Sequence, residues 1–320
     1  MTDSMKDTEQ REMRRSVAAF LDRHAPMTAV RAAMTSADGY DRALWRRAVD
    51  ELGVTALLVP ERLGGLGLTL SDAAVVVEEF GRRLVPGPVL TTLAATAYLA
   101  GCGTPEADEV LTSIAELGLS VSVAVNGGTN VVHGAAVDLL LVDTGDDVVV
   151  ASDVVARHRV ALDQTRNLAD VEFSGGRRVG GAGLPGPLWT LLAAESAAAA
   201  RTCLDLTVEY LKTREQFGRP IGSFQALKHR CADHLVAVEG AASTAWRATR
   251  EPGEVPAALA KAVCTDVFFA VAADSVQLHG GIGFTWEHDA HLYLKRAKAN
   301  QLLFGSSRAL RDLVGTRVGL

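Results

Sequence analysis

The spacing of the apolar residues changes twice along this chain, and that change limits the fold more than any other feature. Across residues 117–173, β-branched and other apolar residues alternate or fall in short blocks: Val121, Val123 and Val125; Val131 and Val132; the run 139–142; the run 148–150; Val171 and Phe173. Asn126-Gly127-Gly128 and Gly145-Asp146-Asp147 separate these blocks as turns, so about five strands are expected. Residues 175–186 are glycine-rich and read as a linker.

On both sides the period is helical. Helices are expected at 11–24, at 40–52 with a stop at Gly53, up to Arg83 with Ser71 as N-cap, and at 89–100 with a stop at Gly101. Beyond the linker, four long segments follow near 187–213, 223–249, 255–278 and 287–314. In the second of them Leu227, Cys231, Leu235, Val238, Ala242 and Ala245 share one stripe, the expected core face of a bundle. The pattern predicts a mainly α fold with a small β domain. Its parts are an N-terminal helical domain (1–116), a middle β domain (117–180) and a C-terminal four-helix bundle (181–320).

Charge and cysteine usage exclude several function classes. The net charge of −6, with no basic stretch, rules against a nucleic-acid partner held by bulk electrostatics. Cys102, Cys203, Cys231 and Cys264 form no C-x-x-C pair and are expected to be free thiols buried in helices. The N-terminus is polar, and the longest uncharged stretch, 84–102, is broken by Pro86, Gly87, Pro88 and Gly101. Neither a secretory signal nor a membrane span is expected, and the location expected is cytoplasmic. Glu287-His288-Asp289 with His291 lacks a further ligand set, so the reading is a charged helix start and no metal site.

Two long motifs sharpen the reading. Residues 210–225, containing Arg214-Glu215-Gln216-Phe217-Gly218 and Phe224-Gln225, resemble a signature of the acyl-CoA dehydrogenase family. So do Gln277-Leu278-His279-Gly280-Gly281-Ile282-Gly283-Phe284 and Tyr293-Leu294-Lys295-Arg296-Ala297. Val59-Pro60-Glu61, Gly64-Gly65-Leu66-Gly67 and Glu78-Glu79-Phe80-Gly81 fit the same family, and Asp163-Gln164-Thr165-Arg166 fits less specifically. The resemblance implies FAD as cofactor and an acyl-CoA as substrate. It assigns Arg214, Phe217, Gln225, Gln277, Gly280 and Gly281 to the adenosine and pyrophosphate part of a FAD bound mainly by a neighbouring subunit. The residue chemistry agrees: a guanidinium can grip a pyrophosphate in forked hydrogen bonds, and glycines let backbone approach it closely.

The other half of the family's site is missing. The resemblance requires a glutamate base, yet its two family positions fall on Phe304 and Leu188, neither of which accepts a proton. Glu195 lies about two helical turns beyond Leu188. It is the candidate displaced base, with an ordinary helix carboxylate as the alternative. The segments that cradle the flavin ring in the family are absent from 117–186. The pattern resembles the short subunits of heteromeric bacterial acyl-CoA dehydrogenases that degrade steroids. It implies an α2β2 heterotetramer whose second acyl-CoA dehydrogenase-like subunit supplies the glutamate. A self-sufficient homo-oligomer and a non-catalytic scaffold are the competing readings.

Overall fold

The computed structural model describes residues 3–125 and 127–320. Asn126, in the first expected turn, lies outside the described residues. The N-terminal helices are α1 (Asp3–His24), α2 (Met27–Met34), α3 (Arg42–Leu52), α4 (Leu70–Arg82), α5 (Val89–Cys102) and α6 (Pro105–Leu117). Local chemistry sets their ends. The Asp41 carboxylate accepts the Ala43 and Leu44 N–H groups at the start of α3, and Gly53 in the left-handed region stops it. The α4 cap is Thr69 rather than Ser71: its backbone N–H and hydroxyl both donate to Asp72, at 2.9 and 2.6 Å. Helix α6, absent from the sequence expectation, starts on a Thr104–Pro105 cap and ends at Gly118.

Seven strands, rather than about five, fill the middle: β1 (Val121–Ala124), β2 (Val131–Val132), β3 (Leu139–Asp143), β4 (Asp147–Ser152), β5 (Val155–Arg159), β6 (Leu168–Glu172) and β7 (Gly175–Gly181). They form a four-stranded sheet, β1-β3-β4-β7, and a three-stranded sheet, β2-β6-β5. The strand alternation sorts the faces. Ala124, Leu140 and Val142 meet Val131, Ala169 and Val171 of the other sheet, while Val121, Val123, Leu141, Val148 and Val179 join the helical core. Thr91 and Thr92 of α5 bond the Val121 carbonyl and N–H, which covers the free edge of β1.

The expected glycine linker is largely strand β7. A Cβ at Gly180 would overlap the Tyr98 hydroxyl and Cys102 Sγ of α5, so glycine is what lets the strand pass beneath that helix.

The remaining helices are α7 (Pro185–Thr213), α8 (Gln225–Arg250), α9 (Glu254–His279), α10 (Ala290–Leu302) and α11 (Ser307–Val318), with a small hairpin of β8 (Glu215–Gln216) and β9 (Arg219–Pro220). The single fourth segment expected from the sequence is thus two helices. Between them Phe304 adopts φ +57° and Gly305 φ +106°. All four cysteines are free thiols within helices, two buried and two half-buried.

Helix α7 is buried through 190–200, where its alanines admit close neighbours. A Cβ on Gly81 would overlap the Glu195 side chain, so α4 crosses α7 at that glycine. Helix α9 is long and apolar enough to cross a membrane by composition, and here it packs against α7, α8, α10 and α11.

The expected core stripe of α8 is displaced. Val238 and Ala245 are buried together with Ala241 and Ala248, but Leu235 is 42% exposed and Ala242 is also exposed. Val236 at 76% and Trp246 at 58% join them on the outer face. The amino-acid pattern records an apolar face that this chain alone leaves in solvent.

Candidate functional site

Two helix ends meet at one place on the surface. Arg214 is the C-cap of α7, and its N–H is accepted by the Tyr210 carbonyl at 2.9 Å. Its guanidinium is exposed and makes no ion pair among the described residues. Phe217 follows at the tip of the β8–β9 hairpin, with φ +55°, and is 91% exposed. Its ring stands edge-on to Phe224, 6.1 Å away, and Phe224 leads into α8 at Gln225.

Helix α9 ends beside α7: the Tyr210 hydroxyl donates to the His279 carbonyl at 3.3 Å. Gln277 is exposed in the last turn of α9. Gly280 takes φ 60° and ψ −140°, a conformation suited to glycine alone. A Cβ at Gly280 or Gly281 would meet nothing within 4 Å, so this peptide faces open space. Gly283 differs, since a Cβ there would press on the Val276 carbonyl; it is a packing glycine. A free guanidinium, an exposed aromatic ring, two exposed amide side chains and an open glycine peptide therefore share one end of the bundle. That donor set suits a pyrophosphate flanked by an aromatic base.

The positions expected for a base lie elsewhere and are closed. Leu188 is fully buried, and Phe304 is buried with its carbonyl accepting the Trp189 indole N–H at 2.7 Å. Lys261 Nζ, itself fully buried, donates to the Gln301 carbonyl at 3.0 Å and to the Gly305 carbonyl. Burial pushes that ammonium down to about 8. Beside Phe304 a cavity of about 200 Å³ opens toward Val123, Asn130, Leu162 and Lys298. Ligand pockets ordinarily run to roughly 300–1,000 Å³.

Glu195 is neither a poised base nor an ordinary helix carboxylate. It is 3% exposed and accepts from Arg166 Nη2 at 2.5 Å and from Arg296 Nη1 at 2.8 Å. Arg296 also bonds Asp163 at 2.7 Å and Thr165 Oγ1 at 2.6 Å, and Asn300 accepts from Arg166 at 2.8 Å. Two guanidiniums thus balance two carboxylates, tying the β domain to α7 and α10. Burial alone would push the Glu195 carboxyl up; the two guanidiniums outweigh it and hold it below the usual carboxylate range. The neighbouring cavity holds about 20 Å³, room for about one water.

His133 also lines that cavity, with φ +52° and a buried Nδ1 that lacks a partner among the described residues. Burial, with Arg166 and Arg296 nearby, pushes its pKa down to about 3. Sequence reasoning missed this cluster. Its signal was faint: charged residues set inside otherwise apolar or helical stretches, as Arg296 is before Ala297.

The metal-like run behaves as separate parts. His288 Nδ1 accepts the Ala290 N–H at 3.1 Å, Asp289 pairs with Arg31 of α2 at 2.6 Å, and α10 begins at Ala290. Glu287 lies before the helix and is exposed, so it is not part of the helix start.

The N-terminal domain of acyl-CoA dehydrogenases matches residues 7–128, and their C-terminal domain matches residues 190–319. Acyl-CoA dehydrogenase IpdE2 of Mycobacterium tuberculosis is 42% identical over 312 residues, which cover 97% of this chain and 98% of that protein. This chain belongs to the acyl-CoA dehydrogenase family. Its fold is that of the Tcur3481–Tcur3483 steroid ACAD, with a TM-score of 0.88, 26% identity and 98% coverage of each chain. The ChsE4–ChsE5 complex from Mycobacterium tuberculosis superposes with a TM-score of 0.85 at 26% identity, covering 100% of this chain and 98% of that one. Within an acyl-CoA dehydrogenase fold, then, the residues of the two long motifs lie at exposed helix ends, while Phe304 and Leu188, where the resemblance led a base to be expected, are buried.

Proposed function

We propose that this chain is one subunit of a heteromeric, FAD-dependent acyl-CoA dehydrogenase that desaturates an acyl-CoA thioester between Cα and Cβ. Its part is to hold the adenosine and pyrophosphate arm of a FAD seated mainly in a second, longer subunit. That partner supplies the ring cradle and the glutamate base, in an α2β2 assembly. Bound FAD would supply the acceptor for the hydride lost from the β-carbon, with the Cα proton going to the partner's glutamate. The residues of this chain would hold the dinucleotide: Arg214 and the Gly280–Gly281 peptide at the pyrophosphate, Phe217, Gln225 and Gln277 at the adenosine.

The observation that carries the reading is the contrast between an exposed Arg214, without an ion pair among the described residues, and a buried Phe304 where a base was expected. The outer face of α8, with Leu235, Val236 and Trp246 in solvent, favours a partner subunit. The two-component names of the similar structures favour a heteromer, and the steroid ACAD among them favours a steroid-derived CoA ester as substrate. A self-sufficient enzyme using Glu195 is disfavoured by the two guanidiniums on that carboxylate and by the 20 Å³ of space beside it.

The test is to purify the chain alone, and again co-expressed with an acyl-CoA dehydrogenase-like partner encoded beside it, reading flavin absorbance and assembly mass. Flavin and a mixed oligomer only on co-expression are expected. A flavin-loaded homo-oligomer from the chain alone overturns the shared site, and a mixed oligomer whose flavin content ignores Arg214→Ala indicates a scaffold.

A further inference from the structure

The two halves of the proposed dinucleotide arm sit on different helices, and one aromatic stack joins them. Tyr210 lies one turn before Arg214, and its carbonyl holds the Arg214 N–H. Its ring stacks on His279 with centroids 4.4 Å apart and planes at 27°, and its hydroxyl reaches the His279 carbonyl. His279 is the last residue of α9, so that carbonyl belongs to the peptide entering Gly280.

The imidazole is fixed on every side. Nδ1–H donates to the Ser275 carbonyl at 2.7 Å, which leaves Nε2 as a lone pair. That Nε2 is buried and has no partner among the described residues. The His288 ring covers the imidazole at 4.4 Å, and His288 is tied to α2 through Arg31, which bonds its carbonyl and Asp289.

We propose that Tyr210 and His279 are positioning residues that set the separation between the Arg214 guanidinium and the Gly280–Gly281 peptide, and that they do so only while His279 is uncharged. The inference rests on the reading of this face as the FAD pyrophosphate arm.

The surroundings explain the dependence on charge. From α7 the imidazole meets Tyr210, and Thr207 through Ser275; from the α10 approach it meets His288, with Arg31 and Asp289 paired behind. Asp289, the carboxylate on that side, is already bonded to Arg31. A proton on Nε2 would be a buried cation with no acceptor among the described residues. Burial lowers the His279 pKa, the bond to the Ser275 carbonyl opposes it in part and His288 adds to the lowering, so the net direction is down, in keeping with a neutral ring at pH 7.

The experiment titrates FAD into the flavin-stripped complex of this chain and its partner at pH 5.5 to 8, reading flavin fluorescence and assembly mass. Tyr210→Phe, which keeps the stack and loses one hydrogen bond, is expected to weaken FAD about threefold to tenfold. The unaltered complex is expected to hold its affinity through the ordinary imidazole range and to lose it only as the pH falls through the lowered His279 pKa, by at most about tenfold per pH unit. His279→Asn keeps an amide donor for Ser275 and removes the titrating group, so it should flatten this profile.

Arg214→Ala separates the two levels of the argument. If it leaves FAD affinity unchanged, the pyrophosphate reading falls. If it weakens FAD while Tyr210→Phe and His279→Asn change neither the affinity nor the pH profile, the positioning inference alone is overturned.

Discussion

Replacing Glu195 by Gln tests whether the buried cluster is structural. The amide keeps the shape of the side chain but changes the charge balance from two against two to two guanidiniums against one carboxylate. Its oxygen can accept from Arg166 or from Arg296, but its NH2 then faces the other guanidinium, a donor against a donor. Both guanidiniums and the Glu195 carboxylate are nearly inaccessible to water, so solvent cannot screen the mismatch.

Breaking a buried ion pair in this way costs about 3–5 kcal/mol. For 320 residues melting as one unit, an unfolding entropy of roughly 0.7 kcal/mol/K makes this about a 4–7 °C fall in Tm. Adding Arg166→Leu restores the balance, leaves the Arg296–Asp163 pair intact and should recover part of the loss, a coupling of about 0.5–3 kcal/mol.

The acid limb gives a second reading of the same variant. Since the Glu195 pKa is lowered from 4.5, its contribution is full above that pH and drains as acid titrates the carboxyl. The variant should lack that part of the limb. Urea unfolding followed by circular dichroism measures the loss, and acyl-CoA-dependent flavin bleaching in the complex measures chemistry at a temperature where both proteins are folded. A stability change under about 1 kcal/mol together with lost bleaching would refute the reasoning and make Glu195 the base.

Arg214→Ala should lower FAD affinity of the complex by about ten- to a hundredfold, the worth of one or two charge-assisted bonds, with assembly mass unchanged. Phe304→Glu should gain no dehydrogenase activity in the chain alone and should destabilise it, since the apolar contacts of the buried ring are lost and a carboxylate is dehydrated there; melting and flavin-reduction assays check both. Stability should fall with acid below about pH 6.5 by up to ~1.4 kcal/mol per unit as His133 is held neutral down to about 3, and His133→Asn, tolerated at φ +52°, should flatten that slope in pH-dependent urea titrations. Trp246→Glu should prevent mixed-oligomer formation, seen by mass, and leave the melting of the isolated chain within about 0.5 kcal/mol.

Periodicity made the long elements legible because their apolar stripes are continuous: α7, α8 and α9 each differ from expectation by only a few residues at the ends. It failed where something other than burial chose the residue. In β7, Gly180 serves close approach to α5 and Gly176 close approach to β4, and neither carries a strand signal of its own. The break at Phe304–Gly305 is held by Lys261 and Trp189, which are distant in sequence and so invisible to any local window. The α8 stripe failed differently: the apolar pattern was read correctly, but amphipathicity says only that a face is to be covered, not which chain covers it. Of the proposed site, the exposed helix ends stood out through contiguous motifs. The Glu195 cluster did not, since Asp163, Arg166, Glu195, Arg296 and Asn300 converge from three separate segments.

The cluster and the missing base can be joined in one physical argument. An acyl chain needs an apolar cavity that is empty until it binds, and the lining of such a void forgoes contacts that a filled core would make. Charges at its wall are worse still, because they are dehydrated when an apolar ligand arrives. Here two arginines and two carboxylates meet where Glu195 crosses Gly81; about 20 Å³ remains on the Glu195 side, and about 200 Å³ on the side that Phe304, Asp163 and Arg166 line. A subunit whose partner performs the chemistry has no need to keep that void open. Filling it with mutually satisfied charges ties the middle β domain to both α7 and α10 without any ligand. The helix ends that carry Arg214 and Gly280 lie on elements braced by this cluster, α7 directly and α9 through its packing on α7 and α10. On the proposed reading, a narrowed acyl site and a firm dinucleotide arm are therefore compatible outcomes of the same packing.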